Sequence, residues 1–199
     1  HNGTDMSISN FGGDLKIINY TDDKDIIFQS DDGSGGVTTY FYLDGSTTDV
    51  RFDKSIRVTD SQKVKLGTGE DLSLFHSSGN STIQNITGDL TIENLADDKD
   101  IIFRCDDGSG GLATYLTLDG SATKTTLQKD LRADDDVKIQ VGSSGDFYMV
   151  HDSGTGQGQL INGTDHLVIV NNADDHDIIF KCDNGSGGIT NYLKIDGAN

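Results

Sequence analysis

Apolar residues along this chain fall in short bursts that alternate with polar ones. Each burst is closed by a cluster of Asp, Asn, Ser or Gly. The clearest is Val37–Leu43, where Val37, Thr39, Phe41 and Leu43 alternate against Thr38, Tyr40 and Tyr42. A period of two marks a strand with one covered face. The pattern predicts strands at Met6–Ser9, Leu15–Ile18, Ile26–Gln29, Val37–Leu43, Val50–Phe52, Ile56–Val58, Val64–Leu66 and Leu72–Phe75. It predicts a second series around Ile83 and at Leu90–Ile92, Ile101–Arg104, Leu112–Leu118, Thr126–Gln128, Leu131–Ala133, Val137–Val141 and Phe147–Val150. A third series is Leu160–Ile161, Leu167–Val170, Ile178–Lys181 and Ile189–Ile195. No stretch of about a dozen residues carries a 3.6-residue apolar period, so the predicted class is all-β.

The bursts repeat. Asp-Asp-Lys-Asp-Ile-Ile-Phe at Asp22–Phe28 returns unchanged at Asp97–Phe103, and with His for Lys at Asp174–Phe180, giving spacings of 75 (97 − 22) and 77 (174 − 97). Each copy runs into an acidic glycine turn, at Asp31–Gly36, Asp106–Gly111 and Asp183–Gly188, and then into an aromatic strand closed by Asp-Gly. His1, His76 and His151 are equivalent, which divides the chain into β repeats at 1–75 and 76–150 and a partial repeat at 151–199. The third repeat gains two residues between His151 and Leu167. A repeat of this length predicts an elongated repetitive architecture, and a piece of a longer array. A solenoid, a prism and an intertwined fibre all fit it. Ile26, Phe28, Ile101, Phe103, Ile178 and Phe180 are the expected core positions, with one of each Ile pair facing outward.

Composition narrows this. Hydrophobic residues are 33% of the chain, glycine takes 25 positions, and Pro and Trp are absent. The expected core is thin and is shared along the repeat or between chains. A net charge of −18 excludes nucleic acid as a partner and disfavours anionic lipid, since both need clustered Lys and Arg. No apolar run approaches a bilayer span, so no membrane insertion is expected. Cys105 and Cys182 share the repeat position held by Ser30, which points to a small side chain and to free thiols.

The stretches Lys65–His76, Thr87–Asn94, Asp97–Arg104 and Tyr115–Ser121 resemble the repeat arrays of tail-fibre and related structural proteins of marine bacteriophages, including those infecting cyanobacteria. The resemblance spans essentially the whole chain. It implies an intertwined homotrimeric β-fibre on a virion, extracellular, with a single-chain β-solenoid as the alternative fold. The implied function is the structural and adhesive shaft of a tail fibre that positions host-recognition elements. The implied partners are the chain itself, other virion tail proteins, and a host-surface glycan or protein. The rival functions are a calcium-stabilised bacterial surface adhesin and a polysaccharide-degrading tailspike.

Candidate chemistry is sparse. Asp31, Asp32, Asp106, Asp107 and Asp183 are hard oxygen donors of the kind Ca²⁺ takes, and Asp22, Asp23 and Asp25 add more. Their spacing matches neither the calcium β-roll nor the EF-hand loop. The plainer reading is a turn in which Asp caps backbone N–H groups and Gly supplies positive φ. His1, His76 and His151 would hold a transition metal only if three copies met on an axis, and a turn or edge histidine is the simpler role. Tyr40, Tyr42, Tyr115 and Tyr192 would stack on sugars or pack on the sheet. Asn-x-Ser/Thr occurs at Asn2, Asn19, Asn80, Asn85, Asn162 and Asn184, as chance allows in so turn-rich a chain. Carboxylates that repeat with the scaffold do not make an active site. The expectation is no enzyme, no catalytic residue and no cofactor, with Ca²⁺ as the one candidate ion.

Overall fold

The computed structural model describes residues 5–198. It is all-β, with fourteen strands. The first sheet is β1 (Ile26–Asp31), β2 (Val37–Asp44) and β3 (Asp49–Phe52); the second is β4 (Lys63–Leu66), β5 (Leu72–Ser77) and β6 (Asn80–Asn85). The third is β7 (Ile101–Asp106), β8 (Leu112–Asp119) and β9 (Lys124–Leu127); the fourth is β10 (Ile139–Val141), β11 (Phe147–Asp152) and β12 (Gln157–Asn162). A final hairpin pairs β13 (Ile178–Asp183) with β14 (Ile189–Ile195). Every pairing is antiparallel between consecutive strands. The chain divides into two units, one ending at Ile92 and holding the first two sheets, the other starting at Glu93 and holding the rest.

Each sheet is local, built only from strands consecutive in the chain, and no strand pairs with its counterpart one period away. A single-chain β-solenoid is therefore not formed, because its successive coils would have to lend strands to common sheets. His76 and His151 lie inside β5 and β11, so the phase that keeps sheets whole starts upstream of β1 and β7 and not at the histidines.

Each period holds two meanders built alike. Before β1, β7 and β13 stands a turn closed by Lys24 N–H to Thr21 O (3.3 Å), Lys99 N–H to Ala96 O (3.2 Å) and His176 N–H to Ala173 O (3.3 Å). Before β4 and β10 the same turn is closed by Gln62 N–H to Thr59 O and Val137 N–H to Asp134 O, both 3.1 Å. In all five a non-glycine residue sits at positive φ: Asp23 (55°), Ser61 (64°), Asp98 (54°), Asp136 (64°) and Asp175 (56°). Asp and Ser tolerate this region because the short polar side chain bonds locally.

The two residues gained in the third repeat lie wholly in one turn. Ser78-Gly79 joins β5 to β6, and Ser153–Gly156 joins β11 to β12. The flanking register is unchanged: Ser77 pairs with Asn80 and Leu72 with Asn85, as Asp152 pairs with Gln157 and Phe147 with Asn162.

The long alternating strand is broken by a β-bulge. Phe28 pairs with Phe41 but Gln29 pairs with Thr39, so Tyr40 is the extra residue. Tyr115 and Tyr192 occupy the same place. The bulge puts Phe41 and Leu43 on the face of Phe28, and Val37 and Thr39 on the face of Gln29, whose Nε2 donates to Thr39 Oγ1 at 3.1 Å. Val37, Thr39, Phe41 and Leu43 therefore do not share one face as their alternation predicted.

Each three-stranded sheet aligns apolar residues across one side, although Ile27, Phe75 and Val150 lie on the other. Ile26, Leu43 and Val50 line up across the first sheet, as do Phe28, Phe41 and Phe52, whose rings stack at 4.4 and 5.8 Å. The second sheet aligns Val64, Leu74 and Ile83, and the fourth aligns Ile139, Met149 and Leu160. Yet no hydrophobic residue among those described is buried; the buried residues are Asp44, Ser73 and Thr117. The expected core is not closed within one chain. Phe28, Phe103 and Phe180 are 38%, 44% and 46% exposed, and Ile26, Ile101 and Ile178 are half-buried. The reason is topological: each sheet is a local meander of consecutive strands, and no apolar side chain among those described is buried between one sheet and another, so each meander leaves its apolar face open.

Five predicted strands form no ladder: Leu15–Ile18, Ile56–Val58, Leu90–Ile92, Leu131–Ala133 and Leu167–Val170. Met6–Ser9 is likewise irregular. A period-two pattern specifies which side chains share a face, not where the hydrogen-bonding partner comes from.

Candidate functional site

The acidic glycine turns follow from the side-chain oxygen of their second residue. Asp32 Oδ1 accepts N–H bonds from Ser34 (2.7 Å) and Gly36 (3.0 Å), while Asp31 Oδ1 accepts from Gly33 (3.0 Å). In the second copy Asp107 Oδ1 accepts from Ser109 N–H (2.8 Å), Ser109 Oγ–H (2.7 Å) and Gly111 N–H (3.1 Å), and Asp106 Oδ2 from Gly108 N–H (2.8 Å). Gly33 and Gly35 stand at φ 83° and 88°, which a side chain would resist. The Ser34 and Gly36 amides hold the Asp32 carboxyl below the usual Asp range, and the Ser109 hydroxyl and amide followed by Gly111 do the same for Asp107.

The third copy makes the chemistry plain. Asn184 replaces the second Asp, and its Oδ1 accepts the same two bonds, from Ser186 (2.8 Å) and Gly188 (3.1 Å). The turn closes identically, with Asn184 N–H to Gly188 O at 2.9 Å against Asp32 N–H to Gly36 O at 3.0 Å. An amide oxygen does what the carboxylate does, so turn closure asks for an acceptor and not for a charge. Asp183 supplies its backbone carbonyl, which accepts the Tyr192 hydroxyl at 3.0 Å. Tyr40 and Tyr115 donate in the same way to Asp31 O (3.1 Å) and Asp106 O (3.0 Å), so these hydroxyls brace the bulge.

The other acidic cluster is a lock between hairpin ends. Asp25, Asp100 and Asp177 each accept the N–H of the glycine twenty residues on, Gly45, Gly120 and Gly197, at 3.0, 3.0 and 3.1 Å. A Cβ on any of these glycines would run into the carbonyl oxygen of Lys24, Lys99 or His176, which explains the recurrent Asp-Gly. Asn19, Asn94 and Asn171 brace the lock from upstream, donating to the carbonyls of Asp25 (3.1 Å), Asp100 (2.9 Å) and Asp177 (3.0 Å). The sequence showed Asn19 only as an Asn-x-Thr match and assigned no role to Asn94 and Asn171, although their recurrence at one repeat position was the available signal. Asn85 and Asn162 close turns too, donating to the carbonyls of Thr87 and Thr164.

Among the described residues no group of three or more His, Cys, Asp or Glu is gathered to hold a metal ion. His1 lies outside the described residues. His76 Nδ1 meets Ser81 Oγ at 3.1 Å, but His151 Nδ1 meets Asp135 Oδ1 at 3.0 Å, so the two are not one repeated constellation. Cys105 and Cys182 are free and exposed on β7 and β13. The depressions in the surface recur with the scaffold. One of about 330 Å³ beside Lys24, Ile26 and Gly45 has its copy, about 350 Å³, beside Lys99, Ile101 and Gly120. No family model, curated protein or solved structure matches the chain.

Proposed function

We propose that this chain is the repeated shaft of a virion tail fibre, a structural and adhesive protein that assembles as a homotrimer. The observation that carries the reading is a set of regular, locally locked sheets without one buried hydrophobic side chain among the described residues. Such sheets need identical apolar faces laid against them, and copies of the same chain supply these at the right period. The resemblance of the repeat to marine phage fibres supports the same reading. On it the working parts are turns and ladders that propagate a rod and hold host-recognition elements outward. The partners are the chain itself, other tail proteins and a host-surface glycan or protein, and the location is the virion exterior. Neither catalysis nor a cofactor is asked of any residue. The amide at Asn184 weighs against the calcium-adhesin rival, because the turn closes without the second carboxylate. Light scattering on the purified chain tests the proposal: the expected mass is that of three chains, and a compact monomer would overturn it.

A further inference from the structure

The unpaired segments recur in a fixed place. Leu15–Ile18, Ile56–Val58, Leu90–Ile92, Leu131–Ala133 and Leu167–Val170 each stand just ahead of one of the five sheets, before its entry turn. Three of them alternate as in a half-covered strand, Ile56 and Val58, Leu90 and Ile92, and Leu131 and Ala133. Leu15 and Ile17 do so up to Ile18, and Leu167–Val170 is apolar throughout, as a strand covered on both faces is, its four residues all exposed in the single chain. Lys16, Arg57, Thr91 and Arg132 stand between the apolar residues of the first four, and Val168 in the fifth. Among the described residues, none of the five segments makes a backbone–backbone hydrogen bond within the chain. Short β-branched and apolar segments whose N–H and C=O groups are unpaired along the backbone are strands without a sheet, and no proline protects them, since the chain has none.

We infer that these five segments are β-strands completed in trans, each pairing with a further copy of this chain and turning its apolar residues toward the shared axis. Two observations select a second copy as the occupant. First, the segments recur with the sheets through the whole chain, so a partner that pairs with all of them must carry the same period, as another copy does. Second, the exposed surface is 16542 Å². A compact domain of 21.3 kDa exposes roughly 9,100 Å², and two separate domains of half that mass roughly 11,000 Å². Even against the larger figure the excess is about 5,500 Å² per chain, at the scale of the obligate interfaces of oligomers and far above a transient contact. The sheet faces carry part of this excess, and the segments add backbone pairing, as in β-strand addition.

The inference rests on the assembly of identical chains proposed above, and amide hydrogen exchange on the full chain separates the two. In the assembled protein, amides at 15–18, 56–58, 90–92, 131–133 and 167–170 should be protected about 100-fold or more over an unstructured peptide, and should lose protection together when the assembly is dissociated. A three-chain mass with these amides exchanging freely would overturn the trans strands and leave the fibre standing. A monodisperse single chain with folded meanders would overturn both. Thr91→Pro provides a second readout, because proline removes a donor and disrupts a ladder while a lone coil accepts it. It should raise the concentration needed for assembly by roughly tenfold or more, whereas Ser143→Pro, in the Gly142–Gly145 turn, should not. Equal assembly of Thr91→Pro and the unaltered chain would refute the inference.

Discussion

Replacing Phe103 by alanine measures how much of the exposed sheet face is covered once chains assemble. Phe103 pairs with Leu116 across β7 and β8, and its side chain keeps 44% of its surface exposed in the single chain. Truncating a fully buried Phe costs about 3–5 kcal/mol, through lost transfer energy and the cavity left behind. With only a little over half of the ring covered, the lone chain would lose about 2 kcal/mol. Covering the face with further copies should bring the loss to the full 3–5 kcal/mol per chain and tie it to protein concentration. The assay is guanidinium unfolding at several protein concentrations, read by circular dichroism with light scattering in parallel. A loss below about 1 kcal/mol at every concentration would show that the ring faces solvent in the working state and would refute the argument.

Gly120→Ala should destabilise by roughly 2 kcal/mol or more, because its Cβ would meet the Lys99 carbonyl oxygen; thermal unfolding against the unaltered chain checks it. The carboxyls of Asp32 and Asp107 are held below the ordinary value of about 3.9, so their contribution is present above that pH and lost as pH falls through the lower folded values. Exchange at Ser34, Gly36, Ser109 and Gly111 should therefore quicken below about pH 4, relative to Ser186 and Gly188 around the uncharged Asn184, and Asp32→Asn with Asp107→Asn should abolish the difference. A net charge of −18 per chain predicts that melting temperature rises with NaCl, as exposed carboxylates are screened. EDTA at constant ionic strength should change the melting temperature little; a fall of more than about 5 °C, restored by Ca²⁺ and not by Na⁺, would put bound calcium into the fold.

How far the fold was legible depends on what each residue encodes. The period was plain because Asp22–Phe28 is copied nearly verbatim, and the turns were plain because Gly33, Gly35 and their copies answer to positive φ. The bulge was hidden, since Tyr40 reads as one more alternating residue until Asp31 is seen to take its hydroxyl. The halving of the period was harder to see: Asp23 and Ser61 play one role in turns that share only the short signature Thr-Asp, at Thr21-Asp22 and Thr59-Asp60, in sheets whose strands otherwise differ. The unpaired state of Leu15–Ile18 and Ile56–Val58 could not be read locally, because pairing is a property of neighbours and their pattern is that of any strand. At the acidic turns the decisive residue, Asn184, stood in plain sight at the equivalent of Asp32 and Asp107. Its meaning emerged only when its oxygen was found accepting the same two amides.

The turn between β11 and β12 has a consequence for how such a chain can change. Two extra residues entered there without moving one cross-strand pair, from Asp152 with Gln157 to Phe147 with Asn162. Doubling a flexible loop costs only about 0.6 kcal/mol of closure entropy. The hairpin tip is thus a splice point that leaves the register below it unchanged, its first residue still tied back by the Ser153 amide and hydroxyl donating to Asp136 at 2.9 and 2.6 Å. Foreign peptides, tags or enlarged loops inserted at Ser78-Gly79 or Ser153–Gly156 should be carried as cargo, leaving the frame of the remaining strands untouched.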